Sequence, residues 1–208
     1  MTYTTDTLHW QETMNDFVID CSLDVAVHAS KTDTVLLIIP GVDGSVNGYQ
    51  DKYIRIAEQA QAEHGVAVVR IGNPFISSYF WESNPRQALD YIMTDAAAIT
   101  GSDTPPRIKI MAHSAGASTM AKIAHEYSDI TDMLLINPTE KLGGNAIREG
   151  LQKTKANVTV VYGAKDPSVD FAKTLQGDGR TVVILDGVDH HFRGHLQDFI
   201  NLPTKYLA

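Results

Sequence analysis

A single cysteine, Cys21, stands in 208 residues, so no disulfide can close within the chain. That usage fits a reducing compartment, and the cytoplasm is the expected location. No apolar run approaches the roughly 20 residues of a membrane span. The opening residues, Met1 to Trp10, have neither the basic start nor the apolar stretch of a secretory signal. Basic residues are in deficit: 17 Lys and Arg stand against 25 Asp and Glu, for a net charge of −8. With no basic run to offset it, this balance argues against nucleic acid as a partner, and no membrane partner is expected either. Repeats, low-complexity stretches and interdomain linkers are also missing. What is present, 43% hydrophobic and 20% charged residues, suits a single domain with a substantial core.

The most informative stretch runs from Arg107 to Ala121. A short β-prone run (Ile108, Ile110, Met111) stops at Ala112, and His113-Ser114-Ala115-Gly116 lead into a segment of strong helix propensity. This is the pattern of a nucleophile elbow, a sharp strand-to-helix turn that lifts one serine above the edge of a sheet. The turn needs small residues two before and two after the serine. Ala112 and Gly116 supply them, so the motif reads A-x-S-x-G and departs from G-x-S-x-G by one methyl group. Read alone, Ser114 is equally an N-cap serine opening a helix.

Two further elements follow in order. Val158 to Tyr162 reads as a buried strand ending in Gly163-x-x-Asp166, and Thr181 to Leu185 as another ending in Gly187-x-x-His190-x-Phe192. Ser114, Asp166 and His190 thus each stand just after a strand, in the order Ser…Asp…His. On these motifs the sequence resembles the α/β-hydrolase superfamily, whose triad has that chain order. The resemblance covers roughly residues 17 to 200.

The apolar pattern agrees. Phe17-Val-Ile-Asp-Cys and Leu23 to His28 alternate around a turn near Ser22, as in an antiparallel pair with one wet face. Thr34 to Ile39, Val66 to Ile71, the run into Ser114, and Met133 to Asn137 are continuous apolar strands. Helices are expected over 51–64 (closed by Gly65), 85–99 (Asn84 as N-cap, Gly101 closing), from Ser114 to about 127, and over 146–155, 169–175 and 192–200. The expected fold class is α/β: a mostly parallel, doubly covered sheet of α/β-hydrolase type with an N-terminal antiparallel strand pair. One domain spans residues 1–208, with residues 1–16 loosely attached. About twenty residues separate the strand ending at Asn137 from the next, room for one helix and not for a cap domain.

The resemblance assigns Ser114 as nucleophile, His190 as base and Asp166 as the residue that orients the imidazole. His191 competes with His190, but the Gly187-x-x-His190-x-Phe192 spacing favours His190. His113 reads as a pocket-edge residue, His125 and His195 as surface residues in helices. Asp170 would point away, Asp186 and Asp189 lie too close to the histidine, and Glu140 is the reserve acid. The oxyanion hole is expected from the backbone amides of Ala115 and Val42, the latter in the loop Pro40-Gly-Val-Asp-Gly-Ser-Val-Asn-Gly. That loop lacks the Gly-Lys-Ser/Thr of a phosphate-binding loop. Phe75, Tyr79, Phe80 and Trp81 are candidate walls of a substrate pocket, or packing over the sheet's end. No metal set stands out, the adjacent Asp189-His190-His191 trio being unable to converge on one ion, and no cofactor is expected. The implied activity is serine hydrolysis of a small ester or thioester through an acyl-enzyme. The alternatives are a peptide, lactone or carbon–carbon bond as target, or a hydrolase fold serving as a binding scaffold.

Overall fold

Five short runs that are apolar on both faces dictate the centre of the molecule. In β3 (Thr34–Ile39) every residue is buried, Leu37 and Ile39 facing one layer of the core and Leu36 and Ile38 the other. The same split recurs in β6 (Ile130–Ile136), where Met133 and Leu135 oppose Leu134 and Ile136. A strand buried on both faces needs helices on both, and the chain supplies them. The structure, a computed structural model, describes residues 2–77, 79–177 and 179–207.

Its described residues form one eight-stranded sheet in the order β1-β2-β4-β3-β5-β6-β7-β8. The strands not yet delimited are β1 (Thr4–Met14), β2 (Phe17–His28), β4 (Ala67–Ile71), β5 (Arg107–His113), β7 (Asn157–Gly163) and β8 (Arg180–Leu185). β1–β2 and β2–β4 are antiparallel and every other pair is parallel. Helices α1 (Lys52–His64) and α6 (Leu196–Tyr206) cover one face through Tyr53, Ile56, Phe199 and Leu202. The other face carries α2 (Ser83–Thr94), α4 (Ala115–Ile123) and α5 (Gly144–Lys153) through Leu89, Ile92, Met120 and Ile147. The helices that follow β3 and β5 therefore lie on opposite faces, which opens a crevice at the C-terminal ends of these neighbouring strands.

Several boundaries differ from the sequence expectations. The polar start is not loosely attached: residues 4–14 form β1, paired with β2 over its whole length. As an edge strand it has mostly wet side chains and buries little beyond Leu8 and Trp10, so its composition resembles that of a free tail. The antiparallel turn falls at Asn15-Asp16, both with positive φ, and not at Ser22, which lies inside the continuous β2. Residues 85–99 divide at Asp95 into α2 and α3 (Ala96–Thr100), and Asn84 sits inside α2 instead of capping it. Residues 169–174 form a short 3-10 helix. The last helix begins only at Leu196, because Phe192 and Gly194 take positive φ. The connection from β6 to β7 is a single 3-10 turn (Glu140–Leu142) followed by α5.

Candidate active site

β5 ends in a turn that Ser114 makes with φ 54° and ψ −116°, a conformation that costs a non-glycine residue on the order of 1–3 kcal/mol. The turn is held by the Ser114 amide donating to the Ile136 carbonyl at 2.8 Å. It also brings α4 against the end of β3. A side chain at Gly116 would meet the Pro40 carbonyl oxygen at 2.5 Å, so only glycine fits there, whereas Ala112 is buried without conflict. The elbow thus tolerates alanine on the strand side and not on the helix side.

The three residues that the sequence brings forward meet here. Ser114 Oγ lies 2.9 Å from His190 Nε2, and His190 Nδ1 lies 2.5 Å from Asp166 Oδ2. With the carboxylate accepting at Nδ1, that nitrogen carries the proton and Nε2 presents its lone pair to the serine hydroxyl. Asp166 is only 2% exposed and its second oxygen accepts from the Ser168 amide at 2.6 Å. A buried carboxylate with both oxygens engaged is a fixed support for an imidazole. His191 does not take that place: it is exposed at the cleft wall, and its amide donates to Asp189 Oδ1. Glu140 is exposed and 3.9 Å from Arg148, so it does not reach the imidazole. His125 is exposed on a 3-10 turn, and His195 precedes α6, 2.9 Å from Asp198. Asp170 is an exposed partner of Lys173.

Buried polar residues without a sequence motif hold this arrangement. The His190 carbonyl accepts from His113 Nε2 at 2.9 Å and from Asn137 Nδ2 at 3.0 Å. Asn137, fully buried at the end of β6 with φ 48°, also accepts the Gly163 amide at 2.9 Å, tying β7 to the same point. Burial and the neighbouring Lys52 charge push the His113 pKa down to about 3, so His113 is a neutral donor.

The loop after β3 is fixed with equal care. Asn73 Nδ2 donates to the Pro40 carbonyl, the Asn73 carbonyl accepts from Asp43, and Asn73 bridges Gly44. Asn84, the expected N-cap, instead donates to Asn73 Oδ1 and the Pro74 carbonyl, both at 2.9 Å. From β4, the fully buried Arg70 donates to the Val46 carbonyl at 2.7 Å and Asn47 Oδ1 at 2.9 Å. The loop passes over the serine: a side chain on Gly41 would come within 3.1 Å of Ser114 Cβ. Val42 is 46% exposed, and among the described residues its amide has no hydrogen-bond partner. Ala115, whose amide is the other expected donor, opens α4.

The cleft at Ser114 has a volume of about 370 Å³, and Gly41, Val42, Tyr49, Lys52, His190 and His191 are among its walls. The aromatic segment does not enter it. Phe75 and Tyr79 are 50% and 78% exposed, and Phe75 packs on Trp81 with ring centroids 5.2 Å apart. Phe80 likewise contributes nothing to the cleft wall. The segment is drawn aside by the Asp43 carboxylate, which accepts the Phe75 amide, and by Ser83, which donates to Glu12 on β1. Among the described residues no group of His, Cys, Asp and Glu is placed to hold a metal ion.

An open crevice at the switch between β3 and β5, with a serine on an elbow and loops from β7 and β8 closing on it, is a known architecture. The fold is that of the α/β-hydrolases. Est1E from Butyrivibrio proteoclasticus superposes with a TM-score of 0.68 at 15% identity, over 95% of this chain and 96% of that one. An alpha-beta serine hydrolase homologue from Coxiella burnetii gives 0.66 at 16% identity, over 97% of each chain. XC6422 from Xanthomonas campestris, an α/β serine hydrolase without lid, gives 0.60 at 16% identity, over 96% of this chain and 93% of that one. No protein-family model and no curated protein sequence matches this chain. Among the described residues no helix is long and apolar enough to cross a membrane.

Proposed function

We propose that the chain is a serine hydrolase that opens a small ester or thioester through an acyl-enzyme intermediate. The observation that carries this reading is the unbroken hydrogen-bond chain from Ser114 through His190 to the buried Asp166. In the first half-reaction Ser114 Oγ attacks the substrate carbonyl carbon while His190 Nε2 takes its proton. The developing oxyanion accepts from the Val42 and Ala115 amides. Collapse expels the alcohol or thiol, which receives the proton from Nε2. Water then enters, gives a proton to Nε2 and attacks the acyl carbon; collapse breaks the bond to Ser114 Oγ, which takes the proton back from Nε2, and the acid is released. Asp166 holds the Nδ1–H tautomer throughout and offsets the imidazolium charge. The route requires no cofactor. The short β6–β7 connection leaves the serine open to small soluble substrates, in keeping with a cytoplasmic setting.

A fluorophosphonate probe and a panel of p-nitrophenyl esters of rising chain length test the reading together. The expected result is one covalent adduct on Ser114 and ester turnover that Ser114→Ala lowers on the order of 10⁶-fold without moving the thermal midpoint. No adduct under native conditions would favour a binding scaffold instead. An adduct without ester turnover would move the reaction to a peptide, lactone or carbon–carbon bond.

A further inference from the structure

One cation in the cleft has no acid beside it. Lys52 opens α1, its ammonium 4.1 Å from the Phe199 ring centroid and 4.9 Å from that of Tyr53. Among the described residues no carboxylate lies within ion-pair distance of it and no hydrogen-bond acceptor reaches it. Lys122, by contrast, pairs with Glu82 at 3.4 Å. Burial without a counter-ion brings the Lys52 pKa from 10.5 down to about 8. Stability alone gives no reason for a desolvated, uncompensated charge at a cleft wall, whereas an incoming anion would recover that desolvation cost.

The surroundings specify where the anion sits. Beside the cleft at Ser114 lies a groove of about 840 Å³, and Tyr49, Lys52 and His191 form the wall the two share. Tyr49 and Leu196 give the groove apolar surface over the buried Phe192 and Phe199, and Arg193, paired with Asp189 at 3.9 Å, stands at its wall. Among the described residues no Asp or Glu lines it. A trough with apolar walls that leads from Ser114 and holds the unpaired Lys52 ammonium matches an extended carbon chain bearing a negative end.

We propose that this groove seats a substrate arm bearing a carboxylate, with Lys52 as its counter-ion. The inference deepens the serine-hydrolase reading and rests on it for the identity of the scissile bond. It makes Lys52 a specificity residue, separate from the groups that carry the proton.

Two matched ester pairs at pH 7, where Lys52 is charged, test it and tell the arms apart. p-Nitrophenyl hydrogen suberate against p-nitrophenyl octanoate places the carboxylate on the acyl arm. 4-Butyryloxybenzoate against its methyl ester places it on the leaving arm. In one pair kcat/KM is expected to favour the anionic ester about tenfold, a difference worth about 1.4 kcal/mol. The ratio should fall to near one in Lys52→Met, persist in Lys52→Arg, and shrink with added salt. Wild-type ratios of one or less in both pairs, or a preference that Lys52→Met leaves intact, would overturn the proposal. Calorimetric titration of Ser114→Ala with monomethyl suberate, which carries one carboxylate, and with neutral dimethyl suberate reads the same seat without turnover. The anion is expected to bind about tenfold tighter, and the gap to close when Lys52→Met is added. Equal affinities for the two compounds would likewise overturn it. If no ester is cleaved and Ser114 takes no probe, it is the hydrolase reading that fails, and the titration still decides the anion seat.

Discussion

Asn137 is the sharpest test of how the site is held, because its side chain makes two bonds of unequal worth and its backbone is strained. Asn137→Ala removes the donor to the His190 carbonyl, which keeps His113, so that loss is about 1 kcal/mol. It also strips the Gly163 amide of its acceptor deep in the sheet, and an unpaired buried donor costs about 1–3 kcal/mol. Alanine at φ 48° adds about 1 kcal/mol, since asparagine tolerates the left-handed region and alanine does not. The sum is a loss of about 4 kcal/mol. Asn137→Gly loses the same two bonds but not the strain, so it should be about 1 kcal/mol more stable than Asn137→Ala. Urea unfolding of the three proteins with a common slope measures both differences. Equal midpoints for the two variants would refute the strain argument, and losses below about 1 kcal/mol in both would refute the hydrogen-bond argument. On an activated ester, each variant should lower kcat by about tenfold to a hundredfold with little change in KM, as the His190 loop drifts from Ser114.

His190→Ala is expected to match Ser114→Ala in its effect on turnover, while His191→Ala loses less than about a hundredfold, since only His190 bridges Ser114 and Asp166. The reverse ranking would move the base to His191. Asp166→Asn should cost about 10⁴ in turnover by selecting the wrong tautomer, and Glu140→Gln almost nothing, with circular dichroism confirming that both fold. A crippled Glu140→Gln would place the acid one strand earlier. His28 is fully buried, and burial together with Arg70 lowers its pKa from 6.5 to about 4. The unfolded chain therefore takes up this proton first, so stability falls as pH drops from about 6.5 to about 4, by on the order of 3 kcal/mol from this group. Urea midpoints of His28→Gln between pH 7 and 4.5 should decline less steeply than those of the wild type, and parallel declines would refute the assignment.

The parts of the site that were legible in the sequence are those with a local signature. Ser114, Asp166 and His190 each follow a strand within four or five residues of its end, and Gly116 marks the close pass of α4 over β3. The sheet was legible because a doubly covered strand is apolar at every position. β1 was not, because an edge strand buries too little to leave an apolar rhythm. Asn137, Asn73 and Lys52 left no trace, since their partners lie far along the chain and hydrogen-bond complementarity has no period. Arg70 did leave one: a single charge in the otherwise apolar Val66–Ile71 run, in a strand with no wet face, implies a buried partner.

Those illegible residues hold the loops around the cleft. The Val42 amide is useful to an oxyanion only if the 40–48 loop is already ordered, and that loop is rich in glycine and exposed at its tip. Its conformational entropy must be met by something other than substrate, or every turnover would lose binding energy to ordering it. Arg70 and Asn73, both buried in or just beyond β4, meet it from the sheet side by five hydrogen bonds to Pro40, Asp43, Gly44, Val46 and Asn47. His113 and Asn137 do the same for the His190 loop from β5 and β6. Each loop is therefore anchored on a strand that it does not follow in sequence, so shifting one clamp moves the Val42 amide or the His190 imidazole without touching the serine. The cation left over in this scheme is Lys52, which among the described residues is alone in facing the cleft with no backbone to hold, and that is the physical ground for assigning it to substrate.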